Sequence, residues 1–209
     1  GARLRREAQA GVHGQLTETL GHFLDDCAAR APEREAIAHA PRSEVVRRLS
    51  WREFRDLSRE AAKKLVWLGA TKGSRVGLLC SNRAEWLPIA FGALRIGAIL
   101  VPFSTLWKRD EIAYGLTHGD VEILLTLPSF LKHDYLASLS DIVPELGRAR
   151  GPLRSPRAPA LRRVLLLEGG SEGIASWKDV ESDVGDAFLD ALEERVAPTD
   201  LATIFFTSG

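Results

Sequence analysis

Apolar residues recur along the chain at two spacings, one typical of amphipathic helices and one typical of short buried strands. The clearest helical run has its apolar positions at Phe54, Leu57, Ala61, Leu65 and Leu68. Just before it, Ser50 and Glu53 form a capping-box sequence, in which each side chain can bond a free backbone amide of the other residue. The pattern predicts a helix that begins at Ser50 and stops at Gly69, where glycine permits a left-handed backbone.

Further runs of both kinds alternate along the rest of the chain. Helices are predicted over 19–30, from an Asn82 cap to about Ile96, and over 109–117, 135–143 and 184–196. Short apolar runs predict strands over 75–79, 99–101, 122–126, 163–167 and 201–206. Strands that alternate with helices of this length are joined by crossover connections. The sequence therefore predicts an α/β fold with a mostly parallel sheet.

The first predicted helix carries one of the two cysteines. Its spacing places Leu20, Phe23, Leu24 and Cys27 on one face, and Pro32 ends the helix. Cys27 and Cys80 lie far apart and form no metal or redox motif, so we expect two buried structural thiols in a reducing compartment. The histidines show no ligand spacing, and no metal site is predicted.

One unit is expected over 17–209, behind a flexible N-terminal arm over 1–16. Within this unit, 147–159 is rich in proline, glycine and arginine and has few apolar side chains, so we expect a mobile basic loop. Its arginines are Arg148, Arg150, Arg154 and Arg157. Because the chain has no methionine, even at position 1, we expect an excerpt of a longer protein at both ends.

Charge and hydropathy favour a cytoplasmic protein without a membrane segment. The 28 basic and 28 acidic residues cancel, so no overall field attracts nucleic acid or an anionic membrane. From Trp86 to Phe103 only Arg95 is charged, but Gly97 and Pro102 interrupt the run. A buried helix and an inner strand are predicted there instead of a membrane span. The N-terminal arginines precede no apolar region, so no signal peptide is predicted.

The last three residues carry the candidate chemistry. Thr207, Ser208 and Gly209 directly follow the predicted strand over 201–206. Hydroxyl groups donate hydrogen bonds to phosphate oxygens, and glycine lets the backbone approach a phosphate closely. We therefore assign Thr207 and Ser208 to phosphate oxygens and Gly209 to close backbone approach.

This ending resembles the start of the T-S-G-S/T-T-G-x-P-K phosphate loop of the adenylate-forming, or AMP-binding, superfamily. Three upstream segments, 49–54 (LSWREF), 81–86 (SNRAEW) and 94–102 (LRIGAILVP), are similar to boxes of that superfamily, in the same order. The similarity favours the acyl-CoA synthetase branch and extends from about Thr17 to Gly209. It implies the N-terminal part of the family's large α/β domain, incomplete because the chain stops inside the loop.

The resemblance implies that the full-length protein uses ATP and Mg²⁺ to activate a fatty or aryl carboxylic acid as an acyl-adenylate. It further implies transfer of the acyl group to coenzyme A. No catalytic residue can be assigned, since the family's later motifs have no counterpart before Gly209. We therefore expect the 209-residue chain alone to be inactive.

Several alternatives stay open. An adenylation domain that loads a carrier protein would carry the same loop, and a catalytically silent scaffold would keep the same fold. A nicotinamide-binding Rossmann enzyme is disfavoured, because no glycine fingerprint follows a predicted strand. Trp86 and Trp107 would line an acyl pocket or pack in the core. The arginines of 147–159 would bind the phosphates of coenzyme A or form a solvated surface.

Overall fold

The fold was analysed in a computed structural model that describes residues 18–40, 46–149 and 151–207. The expected arm over 1–16, as well as Arg150, Ser208 and Gly209, lies outside the described residues. The helices are α1 Leu20–Arg30, α2 Trp51–Trp67, α3 Trp86–Arg95, α4 Arg109–His118, α5 Tyr135–Ile142 and α6 Asp186–Glu193. The strands are β1 Glu35–His39, β2 Arg47–Ser50, β3 Arg75–Leu79, β4 Ile99–Pro102, β5 Ile123–Thr126, β6 Ser129–Phe130, β7 His133–Asp134 and β8 Arg163–Leu166.

A four-stranded parallel sheet in the order β4-β3-β5-β8 forms the centre of the fold, which confirms the predicted α/β class. Its strands are short, nearly continuous apolar runs, as expected for a parallel sheet covered on both faces. From β3 the chain crosses to β4 on one side and then to β5 on the other. Since such crossovers are right-handed, the two connections place α3 and α4 on opposite faces of the sheet.

The predicted helix caps were correct at α2 and wrong at α3. Glu53 N–H donates to Ser50 Oγ at 3.3 Å, and Ser50 N–H donates to the Glu53 carboxylate at 2.7 Å. Gly69 has the expected left-handed φ of 101°. Asn82, however, does not cap α3, because a turn closed by Trp86 N–H and Arg83 C=O separates it from the helix.

Helix α1 buries a different face from the one that its apolar spacing predicts. Leu20 and Phe23 are 45% and 48% exposed, while the buried positions are Gly21, Leu24 and Ala28. The physical cause is Arg95, whose fully buried guanidinium bonds Asp25 of α1 and Glu193 of α6. Pairing of a buried charge outweighs the exposure of two apolar side chains. Cys27 is consequently only half-buried, whereas Cys80 is buried as predicted.

Two antiparallel pairs, β1–β2 and β6–β7, were not predicted, and the last predicted strand is reduced to a single bridge. Thr203 pairs with Leu100 in parallel, through Leu100 N–H to Ala202 C=O and Ile204 N–H to Leu100 C=O, both 2.9 Å. Among the described residues, nothing pairs with the outer side of this segment. The segment is joined to β4 by a single bridge with two hydrogen bonds, which is too short a ladder to define a strand.

The basic segment 147–159 contains buried anchors that its composition does not suggest. Leu153 and Ala158 are buried, and Leu153 N–H donates to Arg162 C=O at 2.9 Å. Ser155 Oγ donates to Ile142 C=O at the end of α5. The premise that this stretch lacks apolar anchors is therefore corrected, while its mobility stays a prediction.

Candidate functional site

The order of the parallel strands indicates where a ligand would bind. Connections from β3 lead first to β4 and then, in the opposite direction, past β3 to β5. Ligands of open α/β sheets bind at the carboxyl ends of the strands, at the point where the connections reverse. Here that point lies between the ends of β3 and β5, at Leu79–Cys80 and Thr126–Leu127.

The structure fills this crevice with groups that bond one another. Thr126 Oγ1 lies 3.1 Å from Leu79 O and 2.9 Å from Leu127 O. Tyr135, whose side chain is buried, donates its hydroxyl proton to Thr105 C=O at 2.7 Å. Burial raises the pKa of the Cys80 thiol to about 12, so this sulfur is protonated at neutral pH and is not a nucleophile. These residues stabilise the sheet edge, and none of them offers a reactive group in the crevice.

An ion pair spans the same edge of the sheet. Arg83 follows β3 and pairs with Glu168, which follows β8. Partial burial lowers the pKa of Arg83, but the hydrogen bond to Glu168 and the charge of that carboxylate raise it. The net result is a raised pKa. This pair holds two loops together on either side of β5. Within the described residues, no three His, Cys, Asp or Glu side chains converge on a possible metal ion.

The segment that carries the predicted phosphate-binding residues lies outside β4 at this edge. Because Thr203 pairs with Leu100 in parallel, the segment runs in the same direction as β4. The same offset places Thr207 level with Ser104, just beyond the end of β4 at Pro102. Thr207 is exposed there. Since Ser208 and Gly209 lie outside the described residues, only the first of the three predicted site residues can be placed.

Aromatic side chains hold the residue that precedes Thr207. Phe206 lies edge-on to Trp107 with ring centroids 5.3 Å apart, and Tyr114 and Phe103 lie 5.9 and 6.5 Å from it. We call Phe103, Trp107, Tyr114 and Phe206 the aromatic seat. The sequence analysis did not predict this cluster. Aromatic residues near the ends of two predicted strands that reach the same side of the sheet could have indicated it. Trp107 thus packs against the residue that directly precedes the candidate loop.

Gly115 of α4 makes room for the aromatic seat. A Cβ at this position would lie 2.5 Å from Trp107 Cζ3 and 3.1 Å from the Phe103 ring. Real Cβ atoms do not approach a ring carbon so closely, so any larger residue would displace Trp107. The glycine therefore belongs to the support of the candidate site. Trp86 packs, partly buried, against the core.

Two of the segments similar to family boxes, 49–54 and 94–102, serve the architecture. Trp51 and Phe54 are neighbours at the start of α2, and Phe54 meets Phe91 of α3 edge-on at 5.0 Å. Gly97, with φ of 69°, turns the chain from α3 into β4. The boxes thus position β4, along which the candidate loop segment runs.

The arginines of the basic segment lie at the other end of the sheet. Arg162 directly precedes β8, and Arg157 Nη1 donates to Asp141 C=O near the end of α5 at 3.0 Å. Because α5 runs back from the carboxyl edge, its C-terminus lies at the amino ends of the strands. This placement separates the arginines from Thr207 and disfavours the idea that they bind a thiol cofactor beside the candidate loop.

No helix in the described ranges is both long and apolar enough to cross a membrane. The buried run from Trp86 to Phe103 is α3 followed by β4, as predicted.

Comparison with known proteins identifies the family. The sequence profile described as AMP-binding enzyme matches residues 24–209. The chain is 30% identical to the mitochondrial medium-chain acyl-CoA ligase ACSF2 of Macaca fascicularis, over 93% of this chain and 32% of that protein. It is 25% identical to the acyl-CoA ligase SID4 of Ajellomyces capsulatus, over 93% of this chain and 37% of the relative. The chain thus spans about a third of the length of these relatives.

A solved structure shows the same fold. Coronafacic acid ligase from Pectobacterium brasiliense superposes with a TM-score of 0.66 at 15% identity, over 90% of this chain and 33% of that one. At this identity the likeness concerns the fold alone.

Proposed function

The chain belongs to the AMP-binding enzyme family, and we propose that the full-length protein uses ATP to activate a carboxylic acid and passes the acyl group to coenzyme A. One observation carries this proposal. The parallel pairing of Thr203 with Leu100 brings Thr207 to the carboxyl edge of the sheet. This edge is where α/β proteins bind nucleotides.

The proposed reaction has two steps. A carboxylate oxygen attacks the α-phosphorus of ATP, and the bond to pyrophosphate breaks, which leaves an acyl-adenylate. The thiol sulfur of coenzyme A then attacks the acyl carbon, loses its proton, and releases AMP. ATP supplies the good leaving group that the free acid lacks.

The residues of this chain contribute to the first step by holding phosphate groups. The Thr207 and Ser208 hydroxyls donate to phosphate oxygens, and the backbone of Gly209 approaches them without a Cβ. Within the aromatic seat, Phe103, Trp107 and Tyr114 hold Phe206 in place. This contact fixes the direction in which the chain enters the loop at Thr207. A polyanion and a carboxylate repel each other, so such fixed donors lower the cost of bringing them together. Mg²⁺ would neutralise part of the phosphate charge; none of the described residues is assigned to it.

The acid is proposed to be fatty or aryl, since SID4 and ACSF2 are named acyl-CoA and medium-chain acyl-CoA ligases and the chain resembles that branch. The 209-residue chain alone is proposed to be inactive, because no catalytic residue has been assigned within it. A cytoplasmic location is likewise a proposal.

Acid-dependent exchange of labelled pyrophosphate into ATP tests the function. The full-length protein is assayed with a panel of aliphatic and aromatic carboxylates, each with and without coenzyme A. We expect exchange only when a suitable acid is present, and acyl-CoA formation when coenzyme A is added. Exchange with no acid in the panel, together with tight binding of a nicotinamide dinucleotide, would contradict the proposal. Acyl transfer to a carrier protein but not to coenzyme A would contradict the choice of acceptor.

A further inference from the structure

A strong local charge surrounds the start of β8. Residues 146–167 contain six arginines and no lysine, aspartate or glutamate, in a chain whose formal charge is zero. The described members are Arg148, Arg154, Arg157, Arg162 and Arg163. This local excess of positive charge attracts anions even though the formal charge of the whole chain is zero.

These arginines are not neutralised by the carboxylates of the chain. In the part of the chain that the structure describes, none of the five forms an ion pair, whereas ten arginines elsewhere do. Backbone carbonyls orient two of them instead. Arg157 bonds Asp141 C=O at 3.0 Å, and Arg162 bonds Pro159 C=O at 2.6 Å. These two guanidinium groups are therefore oriented, and none of the five is occupied by a carboxylate of the described residues.

Three neighbouring cavities meet at Arg162, and together we call them the basic groove. The first, of about 410 Å³, lies between 173–175, the outer side of β8 and the lining residues Gly147, Ala149, Gly151 and Leu153. The second, of about 520 Å³, is lined by Pro152, Arg154, Pro156 and Pro159. The third, of about 330 Å³, reaches Arg163 and Glu122, whose carboxylate is already occupied by Ser74 and the backbone of Arg75. The groove is thus continuous and basic.

The outer side of β8 has a single unpaired position facing the first cavity, at the buried Val164, between Arg162, whose C=O accepts from Leu153 N–H, and Leu166. On its inner side, β8 bonds β5 through Arg163 N–H to Glu122 C=O and Leu167 N–H to Thr126 C=O. In a parallel strand, the backbone N–H and C=O groups of successive residues point alternately to the two sides. Those of Val164 therefore point away from β5, to the outer side. There Leu166 bonds Ala175, but no backbone hydrogen bond joins Val164 to the described 171–176 segment. Val164 lines the cavity and offers an unpaired donor and acceptor to a ligand.

We propose that the basic groove binds an acidic peptide segment in an extended conformation, which pairs with the β8 edge at Val164. Alternate side chains of such a segment point to one face, where carboxylates would meet Arg154, Arg162 and Arg163. The backbone edge decides between ligand classes. Phosphates of a nucleic acid suit guanidinium groups equally well, but a phosphate backbone offers acceptors alone, whereas a peptide backbone offers both an acceptor for Val164 N–H and a donor for Val164 C=O.

The proposed surface is separate from the phosphate-binding edge. The arginines lie at the amino ends of the strands, whereas Thr207 lies beyond their carboxyl ends. Peptide binding and acid activation are therefore independent, and failure of one leaves the other unaffected.

A direct binding measurement tests the inference with the full-length protein. The probe is a fluorescein-labelled peptide of alternating glutamate and valine, followed by fluorescence anisotropy. We expect binding that weakens by about tenfold or more in the double variant Arg154→Glu/Arg162→Glu. Arg34→Glu serves as the matched control, because Arg34 is exposed and forms no ion pair among the described residues, and it should bind normally. A lysine–valine peptide should not bind.

Amide hydrogen exchange of the unmodified protein tests the pairing without any substitution. The Val164 amide should exchange rapidly in the free protein and about tenfold or more slowly with the acidic peptide bound. The amides of Arg163 and Leu165 should change little, because they already face β5. The proposal is overturned if the acidic peptide does not bind, if it binds without protecting Val164, or if a single-stranded oligonucleotide of equal charge binds more tightly.

Discussion

A glycine, two aromatic rings and a threonine form a chain of contacts at the candidate site. Gly115 leaves space for Trp107, Trp107 meets Phe206 at 5.3 Å, and Phe206 directly precedes Thr207. Each contact is ordinary packing, yet together they fix where the candidate loop begins. The sequence indicated Thr207 through its hydroxyl and its neighbours but not Gly115, because a glycine inside a helix pattern reveals its role only when the opposing ring is known.

The substitution Gly115→Ala tests this chain of contacts. Alanine favours a helix by about 1 kcal/mol over glycine, but the overlap with Trp107 should cost about 1–3 kcal/mol or more. We expect a net loss of stability in chemical unfolding.

Two further variants serve as controls for that measurement. Gly170→Ala, where a Cβ meets nothing within 4 Å, should change stability little. Removal of the ring by Trp107→Leu should relieve the overlap, so that Gly115→Ala costs less in that background. An equal cost in both backgrounds would show that Trp107 is not the group displaced.

Helices and strands with a clear apolar pattern were predictable, and those governed by charge were not. The strands of the parallel sheet were found because both of their faces are buried and their residues are almost all apolar. The β1–β2 hairpin was missed, since charged residues such as Glu35, Arg47 and Arg48 mask any alternation. Helix α1 was found but its buried face was wrong, because the hydrophobic pattern takes no account of the Asp25–Arg95 pair.

Charge also ties α6 to α2, and this link depends on pH. Hydrogen bonds from Lys63 and Arg59 hold the pKa of Asp186 below its usual 3.8. A lowered pKa in the folded state adds stability above the unfolded value, and this stability is lost as the pH falls through the folded value.

We therefore expect Asp186→Asn to lower the melting temperature at pH 7, by less than Gly115→Ala because the pair is exposed. The difference from the unmodified protein should shrink as the pH falls below about 3.8 and vanish once the pH is below the lowered pKa of the folded state. Asp183→Asn, an exposed aspartate that forms no ion pair among the described residues, is the control. A difference that persists in acid would mean that these ion pairs are not its cause.

The basic segment should open to a protease at one end only. Arg148 and Ala149 are exposed, whereas the bonds after Arg154 and Arg157 adjoin the buried Ser155 and Ala158. Within 147–163, limited trypsin digestion should therefore cut first between residues 148 and 151, because the described residues there bury no side chain.

Mass spectrometry of the early fragments checks the site of this cut. The double substitution Arg148→Gln/Arg150→Gln should delay the first cut, and Arg157→Gln should not. First cleavage after Arg157, or after Arg59 within α2, would contradict this division of the segment.

At the scale of the whole molecule, the carboxyl ends and the amino ends of the parallel strands carry different chemistry. The carboxyl edge carries Thr207 and the aromatic seat, and the amino edge carries the basic groove. The sequence predicted the sheet, because the sheet depends on local patterns, and the assignment of Thr207 to phosphate stays a prediction. The sequence did not predict the separation of the edges, because strand order and the direction of each segment are set by long-range pairing, such as that of Thr203 with Leu100.

The most direct test of the account is the KM for ATP of the full-length protein, measured by acid-dependent pyrophosphate exchange, in Thr207→Ala and in Thr199→Ala. Thr199 is an exposed threonine in the same stretch and serves as the matched control. Loss of a hydroxyl that bonds a charged phosphate costs about 1.5 kcal/mol or more. The account predicts that Thr207→Ala raises the KM about tenfold or more, while the KM of Thr199→Ala stays unchanged. An unchanged KM in both variants, with exchange activity retained, would show that Thr207 does not hold the phosphates.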